Sequence, residues 1–378
     1  MNHWIIGMDV SSLPEVERCG GRFYDQGRQG DLLEILQGYG TNLVRIRLWN
    51  DPYDEQGNPY GAGTNDLPSV IALARRVRKL GMDWLLDFHY SDFWADPGKQ
   101  RLPKAWRGLS LEQLVQAVYD YTAQVLDTLA SEGVPPQMVA VGNEASNGIL
   151  WPMGQVPHYD NLARLVSAGV RAVREHAPQA QVMLHLDNGG NNELYRRWFD
   201  QYLANGGEDF DCIGLSYYPF WHGTPEMLRE NMNDIALRYN KPLIVAEIST
   251  GHTLEDYQDY EQLPDDQRKG MASKPELAAK VPYPMTPQGQ ADFMEDIMTL
   301  IRQVPNGLGR GFIYWEPGWL PVPGSQWANG CALPYLEEAG PGGNEWANQA
   351  LFDYDGNALP ALERIRGFQE GDAPAPVG

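Results

Sequence analysis

Two apolar runs in this chain end on glutamate: Met138 to Val141 leads into Gly142-Asn143-Glu144, and Leu243 to Ala246 leads into Glu247. Short apolar runs of this kind read as buried strands, and a charged residue just past such a run leaves the core it terminates. Two carboxyl groups held about 5 to 5.5 Å apart can open an acetal by double displacement, one attacking carbon while the other protonates the departing oxygen and later activates water. The same glutamates could instead be salt-bridged on a rim, and spacing alone does not separate the two readings.

The elements that must position them follow from periodicity. Apolar runs suited to strands occur at Trp4 to Val10, Asn42 to Trp49, Met82 to Tyr90, Met138 to Glu144, Gln181 to Asp187, Asp211 to Tyr218, Pro242 to Ile248 and Gly311 to Glu316. Between them lie amphipathic segments near Asp25 to Gln37, Asp66 to Leu80, Leu111 to Ser131, Asp160 to His176, Asn191 to Ala204, Pro225 to Tyr239 and Pro287 to Val304, with Leu359 to Phe368 closing the chain. Strict alternation of this kind predicts an α/β fold, one (β/α)8 TIM barrel over residues 1–378. A doubly wound sheet is the runner-up, but no glycine-rich phosphate loop follows the first strand. Glu144 and Glu247 then end the fourth and seventh strands and face each other across the C-terminal mouth. Two connections, Ser249 to Thr286 and Pro317 to Ala358, are far longer than the usual βα loop and would wall a cleft there.

Composition narrows the ligand. With 29 Lys+Arg against 50 Asp+Glu the formal charge is −21, the wrong sign for nucleic acid or an anionic membrane surface. No apolar run has the length of a membrane helix. The 3 cysteines are scattered without a CxxC pair, and the 7 histidines never form HxH or HExxH, so neither a disulfide scaffold nor a barrel metallohydrolase is expected. The 12 Trp and 19 Tyr exceed what a core of this size needs, which points some of them at a ligand.

The segments GMDVSSLPEVE, NLVRIRLWNDP, LDFHYSDFWADPGKQ, VGNEASNGILWP, SYYPFW and VAEIS resemble family 53 glycoside hydrolases, in that family's order and over nearly the whole chain. The resemblance implies retaining endo-hydrolysis of β-1,4-galactosidic linkages in type I (arabino)galactan, with Glu144 as acid/base and Glu247 as nucleophile. It implies Arg45 beside the nucleophile, although Arg47 shares its strand parity and either could be the closer partner. Asn143 would hold the sugar 2-hydroxyl, and His89, with Asp92 nearby, would contact hydroxyls or orient a carboxylate. His185 and Asp187 would bind sugar, with a helix N-cap the alternative for Asp187. Of Tyr217 and Tyr218, one would bond Glu247 while the other lines the core. Trp94, Trp221, Trp315 and Trp319 are the candidate stacking platforms, whereas Trp49, Trp84 and Trp198 read as packing residues.

The chemistry itself requires no cofactor. Several bacterial relatives bind calcium between the two long loops, and a structural ion is conceivable here near Asp256, Asp259, Asn348 and Asp353, although the alternating Asp-x-Asp-Gly spacing is missing. A monomer is expected. The family implies an extracellular location, whereas MNHWIIGMDV reads as a first strand and not a secretory signal, so a native start at Met1 would imply the cytoplasm. The alternatives are a related retaining enzyme acting on short galacto-oligosaccharides or another β-linked chain, and a catalytically silent carbohydrate-binding protein.

Overall fold

The computed structural model describes residues 3–257, 275–337 and 343–370. Eight parallel strands close a barrel: β1 (Ile5–Asp9), β2 (Leu43–Leu48), β3 (Asp83–Phe88), β4 (Met138–Val141), β5 (Gln181–Leu186), β6 (Cys212–Tyr217), β7 (Leu243–Ile248) and β8 (Gly309–Trp315). Each pairs with its sequence neighbours, and β1 joins both β2 (Gly7 opposite Leu43) and β8 (Ile5 opposite Gly311). The expected (β/α)8 barrel is therefore the fold. The principal outer helices are α1 (Leu32–Gly38), α2 (Leu67–Lys79), α3 (Leu111–Ser131), α4 (Tyr159–His176), α5 (Asn192–Ala204), α6 (Pro225–Tyr239), α7 (Pro287–Arg302) and α8 (Pro360–Glu370). Among the described residues, no helix is long and apolar enough to cross a membrane.

Helix starts are chemically marked. Asp66, Thr224 and Thr286 accept backbone N–H bonds from the first turns of α2, α6 and α7, each with Pro at the start of the helix, and Ser110 and Gln113 form a reciprocal capping box on α3. The barrel interior is plugged by apolar side chains, including Ile5, Leu43, Leu85, Met138, Met183 and Ile313. Side chains alternate along a strand. The inward series therefore continues from this apolar plug to Asp9 on β1, Arg45 and Arg47 on β2, Asp87 on β3 and His89 just past its end, and Trp315 on β8. Polarity begins where the plug ends.

Two details depart from the expected pattern. The segment from Asp25 to Gln37 is not one helix: Phe23–Asp25 and Arg28–Gly30 form a small antiparallel hairpin before α1. The fourth strand stops at Val141, short of Glu144, because the backbone turns left-handed at Gly142 (φ 86°) and again at Glu144 (φ 45°).

Candidate active site

Glu247 reaches the mouth through an irregularity in β7. Leu215 of β6 sits opposite Val245, yet Ser216 sits opposite Glu247, so β7 carries an extra residue at Ala246. A bulge re-aims the side chain that follows it. Glu144 is placed differently, by the left-handed turn after β4. That conformation is sparsely populated for a residue with a Cβ and needs external support. Part of it comes from Trp198, whose Nε1 donates to the Ala145 carbonyl at 2.7 Å.

The two carboxyl groups meet over a cavity of about 470 Å³ at the C-terminal end of the barrel. One oxygen of Glu144, one of Glu247 and a ring nitrogen of His185 all lie within 4.8 Å of one another. That proximity fits the retaining arrangement and is too short for the wider gap an inverting enzyme leaves for water. Both glutamates are buried, but their surroundings differ. Arg45 Nη1 donates to Glu247 Oε1 at 2.7 Å, and the Tyr218 hydroxyl donates to Oε2 at 2.7 Å. Burial raises the Glu247 pKa, and Arg45 and Tyr218 pull against that rise. Among the described residues, no cation pairs with Glu144. Burial first, and then the charges of Glu247 and Asp187, lift it well above the ordinary carboxyl range. The pair is therefore asymmetric, with the proton held by Glu144.

Arg45 is the hub beneath them. Its Nη2 bonds Asp87 Oδ2 and Asn143 Oδ1, each at 2.7 Å, and its Nε lies 3.6 Å from Asp9. Burial alone would raise Asp87, but Arg45 and His89 overcome it and hold the group ionised. His89 Nδ1 accepts from Trp49 Nε1 (3.1 Å) and from the Ala95 amide (3.2 Å), which leaves its proton on Nε2, 3.2 Å from Asp87. Asn143 Nδ2 donates to the Ala95 carbonyl at 2.8 Å, so the amide orientation is set from both sides.

Several expected residues fall elsewhere. Arg47 does not touch Glu247; it pairs with Glu316 at 2.6 Å, leaving Arg45 as the closer partner. Tyr218 is the tyrosine on Glu247, while Tyr217 turns outward against Phe293 and donates to the Gly223 carbonyl. His185 does not line the cavity. It is buried between Asn143 Oδ1 (3.0 Å) and Ser216 Oγ (2.8 Å), and burial and Arg45 lower its pKa to about 3, so it positions Asn143 as a neutral ring. Asp92 is likewise structural: its carboxylate accepts from the Lys104 amide at 2.6 Å and its own amide donates to the Tyr335 hydroxyl. Asp187 does line the cavity, and Asn191, not Asp187, caps α5.

Trp94, Trp221 and Trp315 face the cavity, whereas Trp319 is buried behind them with its Nε1 on Ser325. Trp49, Trp84 and Trp198 are fully buried, as expected. Trp327 and Trp346, both on the connection after β8, complete the wall and were not anticipated. Nothing local marks them, since they precede no strand end. Asp9 and Glu316 were missed as well, although the rule that a polar residue at a strand end faces the mouth would have found both.

Of the expected calcium donors, Asp353 and Asn348 carry hydrogen bonds of their own. Asp353 spends its carboxylate on a turn, accepting from the amides of Asp355 (3.0 Å) and Asn357 (2.7 Å) and from the Asn357 side chain. The Asn348 amide donates to the Thr253 carbonyl at 2.9 Å and accepts from Gln349. Asp256 lies on the opposite loop, and Asp259 lies outside the described residues. Among the described residues, the one cluster of His, Cys, Asp and Glu side chains close enough to share an ion is Glu144, His185 and Glu247. That cluster, with a histidine nitrogen among its three ligand atoms, does not fit an oxygen cage of six to eight ligands.

Comparison with known proteins agrees with this geometry. The family model described as glycosyl hydrolase family 53 matches residues 5–365. A Bacillus subtilis (strain 168) protein named endo-beta-1,4-galactanase is 38% identical over 98% of this chain and 87% of its own length. The arabinogalactan endo-beta-1,4-galactanase of Cellvibrio japonicus (strain Ueda107) is 33% identical over 98% of this chain and 92% of its own. The solved Ignisphaera aggregans GH53 catalytic domain superposes with a TM-score of 0.87 at 38% identity, covering 97% of this chain and 96% of that one. The chain belongs to glycosyl hydrolase family 53.

Proposed function

We propose that this protein is an endo-acting hydrolase of β-1,4-linked galactan that works by double displacement. The observation that carries the mechanism is the asymmetric pair: Glu247 lies between a guanidinium and a phenol, and Glu144, without a cation, keeps its proton. In the first step a Glu247 oxygen bonds the anomeric carbon as the glycosidic C–O bond breaks, and the Glu144 proton passes to the departing oxygen. In the second, water adds to the same carbon, gives its proton back to Glu144, and releases Glu247 as carboxylate. Asn143, fixed by Arg45 and His185, supports contact with the sugar 2-hydroxyl, and the tryptophan-lined cleft supports stacking against the apolar faces of successive sugars. The names of the relatives support galactan as the polymer. Every group invoked comes from one chain, so turnover as proposed needs no second copy, and the mechanism assigns no role to a metal.

The test is reducing-end release from galactan. Wild-type protein is expected to cut the polymer internally, while Glu247→Ala and Glu144→Gln lose turnover; full activity in either variant overturns the assignment. Saturable binding of galactan by wild type without release would favour the silent carbohydrate-binding alternative.

A further inference from the structure

Arg47 is a buried cation that the two-carboxylate mechanism does not use. Its Nη1 lies 2.6 Å from Glu316 Oε1, and its Nη2 donates to the Ala62 carbonyl at 3.1 Å. Glu316 is held in turn by the Ser12 amide at 3.0 Å and by the Ser12 hydroxyl. Both members of the pair are 1% exposed. A buried ion pair is often no more stabilising than well-packed apolar side chains of the same volume, so stability alone gives no reason for charge here. The remaining contacts of the guanidinium do. Its central carbon lies over the Trp94 ring, 4.4 Å from the centroid, and within 5.9 Å of the Trp315 ring and 5.4 Å of Trp49. Trp94 is tied on its other edge, where Nε1 donates to the Trp327 carbonyl at 3.0 Å and the ring lies 7° from parallel with Trp327.

We propose that Arg47 and Glu316 are positioning residues for the sugar-stacking wall, locking Trp94 beside Trp315 before the polysaccharide arrives. Once ionised, the Glu316 carboxylate fixes the guanidinium through Nη1, and the guanidinium fixes the indole through a cation–π contact. An indole already held in place loses no rotamer freedom when a sugar stacks on it, so the lock contributes to affinity without touching substrate. The proposal rests on reading the cleft as a galactan groove, and the two can fail separately.

Steady-state kinetics on galactan, with near-ultraviolet circular dichroism to follow indole packing, tests it. Hydrolysis by wild type checks the groove reading; its absence would overturn that reading alone, while the dichroism would still report on the lock. Arg47→Met and Glu316→Gln are expected to raise KM about 3- to 30-fold, the range of a desolvated cation–π contact, with a smaller effect on kcat. Arg47→Lys keeps the charge but not the planar fork and should fall between wild type and Arg47→Met. Weakened indole dichroism should accompany the KM change. An unchanged KM and unchanged dichroism in folded variants would overturn the proposal, as would a fall in kcat at constant KM. If Arg47→Met fails to fold, Arg47→Lys and Glu316→Gln decide by the same criteria.

Discussion

In the proposed mechanism Glu144 and Glu247 have the same side chain and opposite tasks, and their neighbours make the difference. Asp187 is the least obvious of these neighbours. Its Oδ1 is buried without a hydrogen-bond partner, and its charge helps raise Glu144. Asp187 itself is lifted to about 6, chiefly by burial, and once ionised it disfavours loss of the Glu144 proton. Removing that charge lowers the Glu144 pKa. Asp187→Asn should therefore move the alkaline limb of the kcat/KM profile on galactan to lower pH, and a limb that stays in place would refute the coupling. At Glu144 itself, glutamine removes the acid but keeps the shape. Turnover of galactan should fall about 10²- to 10⁴-fold. An aryl galactoside with an acidic phenol needs less protonation of its leaving group, so its first step should suffer less; equal losses on both substrates would argue that Glu144 is not the acid. That Glu144 and Glu247 come together was legible in the sequence because each follows an apolar run. The choice between Tyr217 and Tyr218 was not, because it depends on the orientation of the mouth, which strand alternation alone does not settle there.

At the scale of elements, all eight barrel strands were legible, since a parallel strand buried on both faces leaves an apolar run that survives any register. The hairpin before α1 was not. Its turn runs through Gln26 (φ 48°) and Gly27 (φ 76°), and Gln-Gly is a weaker signal than the Asn-Gly or Asp-Gly that usually marks such a turn. Strand β8 illustrates how little latitude the barrel allows. Gly311 has φ 134°, and a Cβ built there would meet the Ile5 carbonyl oxygen at 2.0 Å, a backbone atom that cannot step aside. Gly311→Ala should thus destabilise the fold by about 3 kcal/mol or more, read from denaturant unfolding; a change near zero would mean that β1 and β8 can separate locally. The loops after β7 and β8 make a second prediction. Because Asp353 closes its own turn, calorimetric melting with and without chelator should give the same transition, and a lower melting temperature in chelator would place a cation there after all.

For the whole molecule, the buried titratable groups set how stability depends on pH, and they pull in opposite directions. Burial lowers His185 to about 3 and His222 and His252 to about 4, so the folded state binds fewer protons at these sites than the unfolded chain, and their contribution is lost as pH falls below about 6.5. Buried carboxyl groups do the reverse. Burial raises Glu316 to about 7 against the pull of Arg47, and it raises Glu144 well above the ordinary value, so the folded state keeps protons that the unfolded chain releases near pH 4.5. Their contribution is complete below the unfolded pKa and is lost as pH rises through the folded one. Between pH 4.5 and 6.5 the two sets oppose each other. Above about 6.5 the histidines are neutral in both states, and Glu316 remains to titrate in the folded protein, with the raised Glu144 acting in the same direction. The formal charge of −21 adds a repulsion that salt screens. The melting temperature should accordingly fall from pH 6.5 to 8, more steeply at low ionic strength, and Glu144→Gln and Glu316→Gln should each flatten the decline because glutamine cannot ionise. Calorimetry across that window decides: a melting temperature that is level or rising with pH would mean that these carboxyl groups already ionise in the folded protein below pH 6.5, and the proton assigned to Glu144 would have to be placed elsewhere.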